Sequence, residues 1–198
     1  WSVDAVSLPH QVAAGGGTWV QLPRQQGICS VPLRREPGLA SCAVEPRQPV
    51  VITSLGSGAW RVGNGLIDLD VSASGLLALR DRDGREQLSS PLHLERYRDL
   101  GEFWDAWDLA SDYRSQPLGV VSADSLEWLD QGPLVAHLVL RRQLGASRMR
   151  LDLRLKADTP WLELICSIDW RQTHELLRLD LPLATPAVRI GADTSGGV

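Results

Sequence analysis

Between Arg148 and Lys156 the chain alternates without error: Met149, Leu151, Leu153 and Leu155 are apolar, and every residue between them is charged. A period of two over nine positions predicts an amphipathic strand with one face in a core, so Leu151→Ala should cost about 2–5 kcal/mol and Arg150→Ala no more than about 0.5. The same reading predicts strands at 134–144, 161–170 (Leu162, Leu164, Cys166 and Ile168 apolar), 126–129 and 176–183. Upstream, Ile67, Leu69 and Val71 alternate with Asp68 and Asp70 after an Asn64-Gly65 turn signal, with both turn residues tolerant of positive φ. Returning strands are predicted at 76–80 and 85–88. Before residue 34, strands are predicted at 3–8, 18–22 and 27–33 around the Gly15-Gly16-Gly17 turn, and the Pro-rich stretch 34–53 reads as a linker. No segment carries a long helical stripe and no fixed repeat is present. The prediction is all-β, with 1–53 as the tail of a small β-domain plus linker and 54–198 as part of a larger sandwich.

One stretch follows no period. Gly101 to Tyr113 packs four aromatics and four acids into thirteen residues, including Trp104-Asp105 and Trp107-Asp108. Indole faces beside carboxylates suit a sugar, whose C–H face stacks on the ring while its hydroxyls donate to the acids. The alternative is a buried loop whose tryptophans fill core and whose carboxylates cap backbone N–H groups. Asp105 and Asp108 could meet either carboxylate separation of a glycosidase, but so can any pair at that spacing, so binding outranks catalysis for them.

Composition narrows the partners. The net charge of −4, with scattered arginines and one lysine (Lys156), leaves no nucleic-acid footprint. No apolar run approaches the roughly 20 residues of a membrane span. The chain opens at Trp1 without Met or a signal pattern, which reads as a cut piece, and the Arg bias fits a bacterium. Cys29, Cys42 and Cys166 match neither a disulfide framework nor zinc spacing, and predict reduced, mostly buried thiols in a cytoplasmic protein. The four histidines lack ligand spacing, so no metal is expected in this chain. His137, or His174 beside Glu175, could serve an epimerase acid–base pair, with a structural histidine as the alternative.

The string Trp104-Asp105-Ala106-Trp107-Asp108, with Asn64-Gly65-Leu66 and Gly84-Arg85-Glu86 upstream and Ile168-Asp169-Trp170 downstream, resembles the C-terminal β-region of glycoside hydrolase family 38, the class II α-mannosidases. The resemblance covers most of the chain from about residue 50; Gln172 and Thr173 depart from it where charged residues are usual. It implies a large antiparallel supersandwich of the galactose-mutarotase type. It further implies a parent enzyme that hydrolyses terminal α-mannosides with an aspartate nucleophile and a zinc ion, both on a β/α barrel this chain lacks. On that reading the chain alone is inactive, needs no cofactor, packs on the barrel and helps close the mannose pocket through Trp104, Asp105, Trp107 and Asp108. A free-standing carbohydrate-binding module and a mutarotase-like epimerase are the alternatives.

Overall fold

A computed structural model describes residues 1–4, 6–24, 27–28, 30–35, 44–101, 108–186 and 189. It is built almost entirely of antiparallel strands, as the periodicities predict, with one 3-10 turn at Tyr113–Ser115 among the described residues. Two four-stranded sheets carry the core. The first is β5 (Val51–Gly56), β6 (Ala59–Gly63), β7 (Ile67–Ser72) and β8 (Gly75–Asp81), paired in that order; the second is β11 (Ser125–Gln131), β12 (Val135–Leu144), β13 (Ser147–Lys156) and β14 (Leu162–Asp169). A third sheet places β9 (His93–Arg98) between β10 (Pro117–Val120) and β15 (Glu175–Asp180). Two hairpins precede them: β1 (Ser2–Val3) with β2 (Val6–Ser7), and β3 (His10–Val12) with β4 (Thr18–Val20).

The alternation at 148–156 becomes β13, whose Met149, Leu151, Leu153 and Leu155 sit in one core with Leu138 and Leu140 of β12 and Val62, Leu69 and Val71 of the first sheet. Burying such side chains is worth about 1.5–3 kcal/mol each and holds the sheets together. The opposite face of β13 is not left to water as the charge pattern predicts. Asp152 is buried there, bound by Arg150 through two hydrogen bonds (2.8 and 2.6 Å) and by His137 Nε2 (2.6 Å). Asp70 of β7 is likewise buried, held by Arg61 and by Arg80 at 2.9 Å. Alternation locates a charged face but does not say what its charges meet.

Three further expectations are corrected. The 27–33 strand is absent from the residues described there: Ile28 is fully exposed and only Arg34 forms a bridge, to Ser2. The segment 85–88 returns only as isolated antiparallel bridges, Glu86 to Arg80 and Leu88 to Leu183, after a turn in which Asp81 Oδ1 accepts from Asp83 and Arg85 N–H. At Asn64-Gly65 only Gly65 has positive φ, +73°. Asn64 is a buried brace: its Nδ2 donates to the Lys156 and Thr159 carbonyls (2.8 Å each), and its Oδ1 accepts from Leu66 and Ile67 N–H (3.0 and 3.1 Å). It ties the β6–β7 turn to the β13–β14 corner.

Candidate functional site

Of the predicted sugar-contacting residues, Trp104, Asp105 and Trp107 lie outside the described residues. Asp108 is half-buried, and its Oδ1 is enclosed with no hydrogen-bond partner among the described residues. A carboxylate oxygen in that state costs free energy until something donates to it. The ends of the loop are pinned to the third sheet. Asp99 N–H donates to the His174 carbonyl and Asp99 Oδ1 accepts from Ala110 N–H, both at 2.9 Å, and Tyr113 N–H closes the following turn on Ala110 O (3.1 Å). Leu100 and Leu109, at the two ends, are each about half exposed.

Next to residues 99–101 and 108–113, β9, β15 and the 3-10 turn assemble a polar-aromatic cluster. Alternation puts His93, Glu95 and Tyr97 on one face of β9, and the register sets Asp180 opposite His93 and Arg178 opposite Glu95. The Tyr97 and Tyr113 rings meet edge to face at 5.3 Å, and the Arg178 guanidinium lies 4.7 Å over the Tyr97 ring. Arg178 donates to Asp180 Oδ2 (2.7 Å) and stands 3.9 Å from Glu95, which in turn accepts from the Tyr97 hydroxyl. The electrostatics follow from these contacts. The bond to Glu95, helped by burial, raises the Tyr97 phenol above its usual range, whereas Arg114 and Arg178 lower that of Tyr113. Asp180 and Tyr113 hold Arg178 firmly protonated. Such an array can orient hydroxyls by donating and accepting at fixed positions.

His93, Glu95 and Asp180 also bring three potential ligand atoms within 4.8 Å of one another. The sequence does not reveal this group, since ligand spacing is read locally and Asp180 is brought in by strand pairing. Its residues do not suit a resident zinc ion: Asp180 Oδ2, 3.4 Å from His93 Nε2, is already the acceptor of Arg178, and a dication there would face that guanidinium.

The two histidines considered for acid–base work are separated in role. His137 is 5% exposed, its Nε2 on Asp152 and its Nδ1 3.6 Å from Asp130; Asp130 also receives Trp19 Nε1–H and Ala14 N–H. It lies under the N-terminal hairpin. His174 is exposed in a turn at φ +55°, and Glu175 is engaged by Arg96 (2.9 and 2.6 Å). Cys166, expected to be buried, is exposed and free on β14, because the inner side of that strand is only partly covered. No helix among the described residues is long and apolar enough to cross a membrane.

The fold defines the chain as an antiparallel β-sandwich domain. Residues 62–198 match the family described as glycosyl hydrolases family 38 C-terminal domain, and the chain belongs to that family. It is 24% identical over 190 residues to alpha-mannosidase 2C1 of Homo sapiens, covering 91% of this chain and 18% of that protein. To alpha-mannosidase 2C1 of Mus musculus it is 25% identical over 147 residues, covering 69% of this chain and 14% of that protein. The chain thus spans less than a fifth of the length of these relatives.

Proposed function

We propose that this chain acts as the C-terminal β-domain of an α-mannosidase. It packs on a catalytic barrel supplied by the rest of a longer polypeptide and contributes the Trp104–Asp108 loop to the closure of the mannose site. The observation that carries the reading is the family match over 62–198 in a chain that aligns with only 18% of an alpha-mannosidase. The zinc ion and the aspartate nucleophile belong, on this reading, to the barrel, and the chain's own residues position and enclose substrate. Trp104 and Trp107 wall the pocket or its rim, and Asp105 or Asp108 accepts a sugar hydroxyl or orients a barrel residue. Asp108 Oδ1, enclosed and unpartnered among the described residues, supports that role, since such an acceptor suits an incoming hydroxyl or N–H. The cysteine spacing supports a cytoplasmic setting, and the arginine bias a bacterial one.

The test is Asp105→Asn and Asp108→Asn in the full-length polypeptide, with melting temperature and aryl α-mannoside kinetics measured on the same samples. A charge-assisted hydrogen bond worth about 1.5–3 kcal/mol predicts a ten- to hundredfold lower kcat/KM at unchanged melting temperature. Unchanged kinetics with lowered melting temperatures would make the loop a piece of core. The 198-residue chain alone should not hydrolyse the substrate, and turnover by it would overturn the assignment.

A further inference from the structure

The inner face of the second sheet is covered unevenly. Register places Arg142, Met149 and Ile168 on one rung across β12, β13 and β14, and Leu140, Leu151 and Cys166 on the next. Leu140, Met149 and Leu151 are buried in the core, yet Ile168 is 44% exposed, Leu164 is 37% exposed and Cys166 is free. Beyond Leu162, which packs on the core, no described residue buries the inner side of β14.

At the margin of this uncovered strip sits a buried charge with one donor unpartnered among the described residues; Asp124, the carboxylate that acts on it, accepts from Gln143 N–H instead. Arg142 is 4% exposed, and desolvation lowers its pKa. Its Nε reaches the Val121 carbonyl only at 3.5 Å, its Nη1 is enclosed with no partner among the described residues, and it forms no salt bridge among them. A concavity of about 550 Å³ lies alongside, lined by Arg142, Met149 and Ile168 together with charged residues of both signs, among them Arg148, Asp124 and Asp169. Buried guanidinium groups are almost always paired, because the desolvated cation is costly without an acceptor. Among the described residues β14 is also the edge of its sheet, and an edge strand can accept another strand.

We propose that this face is a docking site for a segment of the longer polypeptide, and that the segment lays apolar side chains over Leu164, Cys166 and Ile168 while placing a carboxylate on the Arg142 guanidinium. The inference rests on the reading that the chain works as part of a larger enzyme. A carboxylate on an apolar segment would use both parts of this surface, the guanidinium and the apolar Met149 and Ile168 beside it, whereas a free anion would use only the polar part. A planar carboxylate matches the guanidinium fork.

The experiment compares Arg142→Met and native protein, in this chain and in the full-length polypeptide, by melting temperature and by maleimide labelling of the Cys166 peptide read by mass spectrometry. In the 198-residue chain, Arg142→Met should raise the melting temperature, because it removes an unpaired buried charge. In the full-length polypeptide the same change should lower it, and Cys166 should label at least about tenfold more slowly than in this chain. Equal Cys166 labelling in both contexts, or stabilisation by Arg142→Met in both, would overturn the proposal. So would an Arg142-dependent rise in melting temperature of this chain with inorganic phosphate or acetate, which would make the site one for a small anion. Protection of Cys166 in a full-length protein without α-mannosidase activity would sink the functional reading and leave the docking site standing.

Discussion

Asn64→Ala tests whether the Asn-Gly signal marks a turn or a brace. As a turn residue chosen for its conformation, Asn64 would be replaceable by Ala or Gly at a few tenths of a kcal/mol, and Asp would serve equally well. The structure predicts otherwise. Removing the amide takes one donor from the Thr159 carbonyl and the acceptor from Leu66 and Ile67 N–H, while the Lys156 carbonyl keeps the Thr159 hydroxyl at 2.8 Å. Four bonds go, but only three backbone groups are left without a partner at a position that is 2% exposed, and at about 1 kcal/mol for each such group Asn64→Ala should cost about 3 kcal/mol. Asn64→Asp keeps the acceptor half but sets a carboxylate against two carbonyl oxygens, so it should cost at least as much. Urea unfolding gives the answer, with the midpoint moving and the slope unchanged. A loss below about 0.5 kcal/mol for Ala, or a neutral Asp variant, would refute the brace.

Arg150→Ala should destabilise by about 1–3 kcal/mol, because it strips Asp152 of two hydrogen bonds in a buried site; denaturant titration beside Leu151→Ala, at about 2–5 kcal/mol, checks both. Asp70 is held below its usual range chiefly by Arg61, and at Asp152 burial pushes upward but Arg150 and His137 outweigh it. Since both are depressed in the folded state, their stabilisation is fully present above the unfolded value of about 3.9 and is lost as pH falls through and below it, which acid titrations of the melting temperature should show and Asp70→Asn should blunt. Gly132→Ala should cost upwards of about 1 kcal/mol, because its φ is +78° and an added Cβ would stand 2.6 Å from the Val50 carbonyl; a neutral variant in thermal unfolding would mean that β5 moves away at no cost.

How far the sequence could be read depends on whether an element's neighbours lie near it in the chain. The alternation at 148–156 suffices to predict β13 because one face meets a core and the other does not. Missing from view is β5, assigned in part to a linker, since a strand whose residues are nearly all exposed leaves no period. The burial of Asp70, Asp152 and His137 is equally silent, because a charge within an ion-pair network looks the same in a sequence as a charge in water. The Tyr97–Arg178–Asp180 cluster is invisible for a third reason: strand pairing joins positions about eighty residues apart. Trp104 to Asp108 stands out by composition, which selects a chemistry without fixing a position.

The N-terminal hairpin gains its anchors late. Gln11 donates to the Val135 carbonyl across 124 positions and accepts from Leu134 and Val135 N–H, Trp19 reaches Asp130, and Gln21 reaches Asp158 across 137. At a synthesis rate of about 5–20 residues per second, those partners leave the ribosome roughly 6–25 s after the hairpin does. For that interval β3 and β4 have only each other, and a two-stranded hairpin is at best marginally stable in water. Translation therefore delivers the cover over His137 before its seat, and a pause between residues 81 and 130 would lengthen the hairpin's exposure without touching β5–β8, already synthesised.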